Sequence, residues 1–194
     1  KIINALATIK DAAAIPDLKK AMRSATPDVR LAAIDALTAI GAPANEALLS
    51  ALKHDDAGMR ARAVTSLGTL KDRASVEPLA PMLKDADANV RTATIDALEA
   101  IGLPAQEVLI GALKLEDPVL RANAAQALGV IANPKAVDAL IDTLKDADPR
   151  PRTEAVKALA GIKDARCLPA VIGALKDAQP GVRATAVSLL KGFA

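Results

Sequence analysis

The chain has 194 residues, a formal net charge of +2, and a composition that is 52% hydrophobic but only 1% aromatic. The near balance of 25 basic and 23 acidic residues argues against a polyanion-binding surface or an acidic tail, and the single cysteine, Cys167, excludes an intramolecular disulfide or a multi-cysteine zinc site. No run of about 18 apolar residues and no signal peptide is recognisable, so no membrane partner is predicted.

Residues 1–10 read as the tail of a helix, with Ile2, Ala5, Leu6 and Ile9 at helical spacing. Residues 12–24 form its partner, with Ile15, Leu18 and Met22 on one face. At Thr26-Pro27 a unit begins with a capping side chain and a proline at the first helical position, where its missing donor costs nothing. The cap recurs at Asp56, Asp87, Asp117-Pro118 and Asp148-Pro149, and in a poorer form at Gln179-Pro180.

The first helix of each unit, helix A, carries core positions such as Val29, Ala33, Ala36, Leu37 and Ile40. Ile34, Val64, Ile95, Ala125, Val156 and Val187 widen the stripe, so helix A needs cover from more than one side. A short turn follows at Gly41-Ala42-Pro43, Lys71-Asp72, Gly102-Leu103-Pro104, Ala132-Asn133-Pro134 and Lys163-Asp164, with Gly and Asn suited to a left-handed helix end. Helix B then runs to a recurring Leu-Lys at 52–53, 83–84, 113–114, 144–145 and 175–176, its lysine favoured by the helix C-terminus. Pro81 predicts a break in one copy of helix B. The last helix A leaves Val182, Ala186, Leu190 and Phe193 without a helix B, which predicts an exposed apolar stripe.

The arginines Arg30, Arg60, Arg91, Arg121, Arg152 and Arg183 recur every 30 or 31 residues. Such a period is the mark of a stacked repeat. The units fall at 26–55, 56–86, 87–116, 117–147 and 148–178, with partial units at 1–25 and 179–194, in a single array. Residues 117–146 show the motif most fully: Asp-Pro-x-(Val/Leu)-Arg-x-x-Ala-x-x-Ala-Leu-x-x-Ile, a turn, then Ala-Val-x-x-Leu-Ile-x-x-Leu-Lys-Asp. This resembles the short HEAT-like repeats named after the phycobilisome lyases, and the resemblance covers essentially the whole chain. It implies an all-α right-handed α-α superhelix, or solenoid, with helices A on the convex side and helices B on the concave side. It also implies a binding scaffold, and it raises as an alternative a subunit of a bilin lyase acting on phycobiliproteins.

The arginine ladder has two readings, a phosphate-binding row or a structural device. A cation gains nothing from the dipole early in helix A, and Asp85, Asp146 and Asp177, six residues before Arg91, Arg152 and Arg183, offer carboxylates and carbonyls, so the ladder is read as structural. On helix B, Glu46, Glu77, Glu107 and Asp138 form an acidic row with Asp142 beside it and Asp17 near its line. These residues are the candidate partner-binding positions of a smooth, mildly acidic groove, which would repel nucleic acid. His54, the only histidine, and Cys167 are read as a loop residue and a buried core residue, so no catalytic residue, metal site or cofactor is predicted.

The sequence thus predicts a non-catalytic protein-protein interaction scaffold, in the cytoplasm by preference, that binds a protein partner along helices B and no nucleic acid. A structural spacer within a larger protein is the further alternative. The partial first and last units predict end-to-end self-association or a longer parent chain.

Overall fold

The computed structural model describes residues 8–162 and 164–191. Ile2, Ala5, Leu6, Lys163 and Phe193, assigned above to helices or turns, lie outside the described residues. Among those described there are twelve α-helices, seven short 3-10 segments and no strand. Two compact units are present, Lys1–Ile101 and Gly102–Ala194. The first holds α1 (Ile15–Ala21), α2 (Pro27–Ile40), α3 (Asn45–Ala51), α4 (Ala57–Leu70), α5 (Val76–Leu79) and α6 (Ala88–Ile101). The second holds α7 (Gln106–Ala112), α8 (Pro118–Ile131), α9 (Val137–Thr143), α10 (Pro149–Gly161), α11 (Cys167–Gly173) and α12 (Pro180–Leu190).

Long helices A alternate with short helices B. In the first unit α2, α4 and α6 pack in succession, with α1, α3 and α5 against them; in the second α8, α10 and α12 do the same, with α7, α9 and α11. Helix B is shorter than the sequence suggested, because its first turn is a separate 3-10 segment: Ala12–Ala14, Ala42–Ala44, Arg73–Ser75, Leu103–Ala105 and Pro134–Ala136. The predicted break at Pro81 is present. Here α5 stops after one turn and Ala80–Lys84 continues as 3-10 helix, since proline lacks the donor and crowds the preceding turn.

The core is built from Ala33, Ile34, Leu37, Leu67, Ile95, Leu98, Leu128, Val156 and Leu159 on helices A, and Leu48, Leu79, Leu109 and Leu140 on helices B, all essentially inaccessible. Each Leu or Ile so buried contributes about 1.5–3 kcal/mol. The widened stripe behaves as a stack requires: Ile34, Val64, Ile95, Ala125 and Val156 are buried, while Val187 on α12 is 46% exposed. The apolar stripe predicted at the end is nonetheless covered in part, with Leu190 half-buried. Val182 and Ala186 are buried, because α12 packs on α10, α11 and the 3-10 segment Ala174–Lys176.

Helix ends depart from expectation in two places. Asp56, Asp87, Asp117 and Asp148 cap as predicted, each accepting the N–H two residues on at 2.8–2.9 Å. Thr26 has the extended backbone of a cap, but its hydroxyl accepts no helix N–H; Ser24 Oγ accepts the Thr26 N–H instead. At the C-termini, Gly41 and Gly102 have φ +86° and +82° with ψ near −140°, a region open essentially to glycine alone. Asn133 is not the left-handed residue. Its backbone is extended, so that its side chain can accept the Lys135 N–H, and the left-handed position falls to Ala132 at φ +54°. Lys71 is held the same way at φ +52°.

Small residues let helices A approach closely. A Cβ on Gly68 would sit 2.7 Å from the Ala97 Cα, and one on Gly129 would sit 2.9 Å from the Ala158 Cα. Both glycines lie at one register position of helix A, in α4 and α8, and each meets the next helix A of its own unit.

The arginine ladder bridges consecutive repeats. Arg60 donates from Nε and Nη2 to the two carboxylate oxygens of Asp85 at 2.8 and 2.7 Å. Arg121 does so to Asp146 at 2.6 and 2.8 Å, and Arg152 to Asp177 at 2.8 and 2.9 Å. The carboxylates read in the sequence as partners of the arginine six residues later therefore bind the arginine that opens their own repeat, 25 residues earlier. What that later arginine takes is the carbonyl: Arg91 Nη1 donates to Asp85 O, Arg152 Nη1 to Asp146 O and Arg183 Nη1 to Asp177 O, each also reaching the next carbonyl. Arg30 departs from the forked pattern of Arg60. It makes one bond to Asp56, at 2.6 Å, and its Nε is buried without a partner, because His54 stands where Asp85 stands one repeat later. We infer that the ladder sets the spacing of successive repeats.

The arginine bonds hold the carboxyls of Asp85, Asp146 and Asp177 below the usual carboxylate range. A depressed folded pKa contributes stability in full above the unfolded value of about 3.9 and loses it as pH falls through the folded value. Asp146→Asn is expected to lower stability by about 2 kcal/mol at neutral pH, a deficit that shrinks below about pH 4, read by urea unfolding across pH. Gly129→Ala should cost about 1–3 kcal/mol through the clash with Ala158. Ala132→Gly should add about 0.5–1 kcal/mol by relieving the left-handed alanine; thermal melts of the two variants against the parent protein check both.

Candidate partner-binding surface

Helices B are so short that both ends of each are close together, and their ends carry opposite charge. The first turns hold Asp17 on α1, Glu46 on α3, Glu77 on α5, Glu107 on α7 and Asp138 on α9. The last turns and the residues just past them hold Arg23, Lys53, Lys84, Lys114, Lys145 and Lys176, all exposed. At 1.5 Å per residue the two rows stand about 10 Å apart. The macrodipole favours acids at the N-terminus and bases at the C-terminus, so both rows have a sufficient local cause. Arg23 completes the basic row; its place, 30 residues before Lys53, was the signal that the sequence reading passed over.

The five candidate positions lie on α3, α5, α7 and α9. Glu46, Glu77 and Glu107 are exposed, each on its own helix. Asp138 is bound by Arg166, whose Nη1 donates to it at 2.8 Å while Nε and Nη2 hold Asp164. That contact holds the Asp164 carboxyl down to about 2. Asp142 accepts from Lys145 Nζ at 3.0 Å.

The hollows between helices B have a different lining. In the first unit a cavity of about 700 Å³ lies between α1 and α3, with Ile15, Pro16, Met22 and Ala51 as apolar lining and Lys19, Lys20, Arg23, Lys53 and His54 around it. Asp55 is its one acidic lining residue. In the second unit a smaller hollow of about 330 Å³ lies between α9 and α11, lined by Ile141, Leu144, Ala170 and Ala174 with Lys145, Lys176 and Asp177. Neither hollow includes Glu46, Asp138 or Asp142, so the charge nearest these spaces is basic where the sequence reading placed a mildly acidic groove.

The other chemistry-bearing side chains are occupied internally. His54 Nδ1 accepts the Asp56 N–H at 3.0 Å, and its carbonyl accepts from Arg60. Cys167 is buried, and burial pushes its thiol up. Among the described residues no group of three or more His, Cys, Asp or Glu side chains is placed to hold a metal ion, and no helix is long and apolar enough to cross a membrane.

Comparisons with known proteins agree with this architecture. A family model described as HEAT repeats matches residues 45–117 and 106–191, and one described as PBS lyase HEAT-like repeat matches residues 1–24. No curated protein matches the chain. Among solved structures, a designed armadillo repeat protein in complex with peptide (KR)4 is 18% identical, with 93% of this chain and 99% of that chain covered and a TM-score of 0.59. Human deoxyhypusine hydroxylase in complex with glycerol is 24% identical, with 97% and 76% covered and a TM-score of 0.55. An engineered protein is 21% identical, with 91% and 95% covered and a TM-score of 0.55. At these identities the likeness speaks to the fold, which is that of armadillo and HEAT repeats. The matched segments span well over half of the sequence, and the chain belongs to the family of HEAT repeats.

Proposed function

We propose that the chain is a non-catalytic scaffold that holds a segment of a protein partner on the surface of its helices B. The observation that carries this reading is the pair of hollows between successive helices B, each with an apolar lining and charged groups around it. By contrast, the guanidiniums of the arginine row, which would otherwise offer a second recognition surface, are committed to carboxylates and carbonyls inside the chain. A pre-ordered helical surface binds a peptide without an ordering cost on its own side. The armadillo-type fold that holds the peptide (KR)4 in the designed protein supports the same mode of use here. A cellular role in the cytoplasm suits the single buried thiol.

Peptides selected from a random display library against the protein test the proposal. Ser50→Tyr and Gly111→Tyr place bulk on exposed positions of α3 and α7; no atom lies within 4 Å of a Cβ at Gly111. Each should weaken selected peptides by about tenfold or more, whereas Thr69→Tyr on the exposed side of α4 should leave them unchanged. A library that yields no binder, or binders sensitive only to Thr69→Tyr, would sink the scaffold reading.

A further inference from the structure

Aligning the repeats on helix B shows where the first departs from the others. The position held by Leu49, Ala80, Ile110, Ile141 and Ile172 is Lys19 in α1, and the position held by Ser50, Pro81, Gly111, Asp142 and Gly173 is Lys20. Both lysines line the 700 Å³ cavity, together with Arg23 and Lys53 of the basic row. Helix chemistry accounts for Arg23 and Lys53. It does not account for Lys19, which stands where every later repeat places an apolar residue.

A third departure lies beside the same cavity. The position occupied by Asp85, Asp146 and Asp177 in three repeats is His54 here, with Ser24 and Leu115 in two others. The corresponding hollow of the second unit includes Asp177, so its lysines face a carboxylate that the first cavity lacks at that position. The replacement has a structural cost, since it leaves Arg30 with one carboxylate bond and a buried, unpartnered Nε. Asp17, bound to Lys20 at 3.2 Å, and Asp55 offset part of the local positive charge.

Building on the scaffold reading, we propose that this cavity is an acidic-peptide site. Carboxylates of a partner segment face Lys19, Lys20, Arg23 and Lys53, and an aliphatic side chain of the segment rests on Ile15, Pro16, Met22 and Ala51. An extended peptide fits better than a nucleic acid strand, because the cavity offers no aromatic face for a base.

The experiment is fluorescence polarisation with labelled Glu-Leu-Glu-Glu-Leu-Glu, its Lys-for-Glu counterpart and a single-stranded DNA hexamer. Wild type should bind the acidic peptide, more weakly at high salt, and prefer it to the other two probes. The double variant Lys19→Leu/Lys20→Ser, which restores the residues of the next repeat, should weaken it by about tenfold, as the loss of two facing charges implies. His54→Asp should raise the melting temperature by giving Arg30 its second carboxylate bond, yet weaken the acidic peptide; a variant that folds better and binds worse separates recognition from stability. Lys176→Ser in the second hollow should change binding by less than about twofold. Equal binding by the double variant, or preference for the basic peptide or for DNA, overturns the acidic-peptide site. If library-selected peptides still bind on α3 and α7 in that case, the scaffold reading survives it; if no peptide of any charge binds, both fall.

Discussion

An aspartate that takes the guanidinium of its own repeat on its carboxylate and that of the next repeat on its carbonyl is, we infer, the interaction that gives this fold its spacing. The apolar layers are made largely of Ala, Leu, Val and Ile, and such surfaces attract one another without favouring a particular register. A forked arginine on a carboxylate does favour one, because two parallel N–H···O bonds fix both distance and orientation. Asp85 and Asp146 show how much one side chain can organise. Each accepts the arginine of its own repeat on both oxygens, and one of those oxygens also takes the N–H of the helix-capping residue two positions on. The carbonyl of each receives the arginine of the following repeat. Spacing, helix start and loop path are thus tied at a single residue.

The close approach of helices A is the counterpart of that clamp. Where α4 meets α6 and α8 meets α10, the facing residues are glycine and alanine, and nothing larger than hydrogen fits at Gly68 or Gly129. The near absence of aromatics follows from the same geometry, for a ring between helices this close would force them apart. The chain therefore relies on many small contacts and on the arginine forks, with little contributed by any single large side chain.

How far the sequence disclosed this depends on whether a feature is local or relational. Caps at Asp56, Asp87, Asp117 and Asp148, the break at Pro81 and the core stripe of helix A are local consequences of residue type and spacing, and they were legible. The left-handed residue at Ala132 was not, because Asn133 is the better left-handed former and is diverted only by its own capping bond to Lys135. The partner of each arginine was half legible. Aspartates six residues upstream were visible as partners, but the assignment of carbonyl to one arginine and carboxylate to another depends on how two repeats meet. Cover for Val182 and Ala186 without a following helix B also depended on tertiary packing, through α10 and α11.

For the candidate site, periodicity says little about a partner, because each periodic residue has a sufficient local cause. Residues that recur in every repeat tend to be those the repeat itself requires: acids where the helix dipole is positive, lysines where it is negative, arginines where a carboxylate waits at the far end of the repeat. The acidic row on helices B belongs to that class, and its residues are absent from the lining of the two hollows described. Information about a partner resides where the pattern is broken at some cost to the stack. Lys19 in an apolar row and His54 in place of a clamp aspartate are such breaks, and both stand at one cavity. Seeing them as a pair required the three-dimensional structure, because in the sequence they lie 35 positions apart and in different helical units.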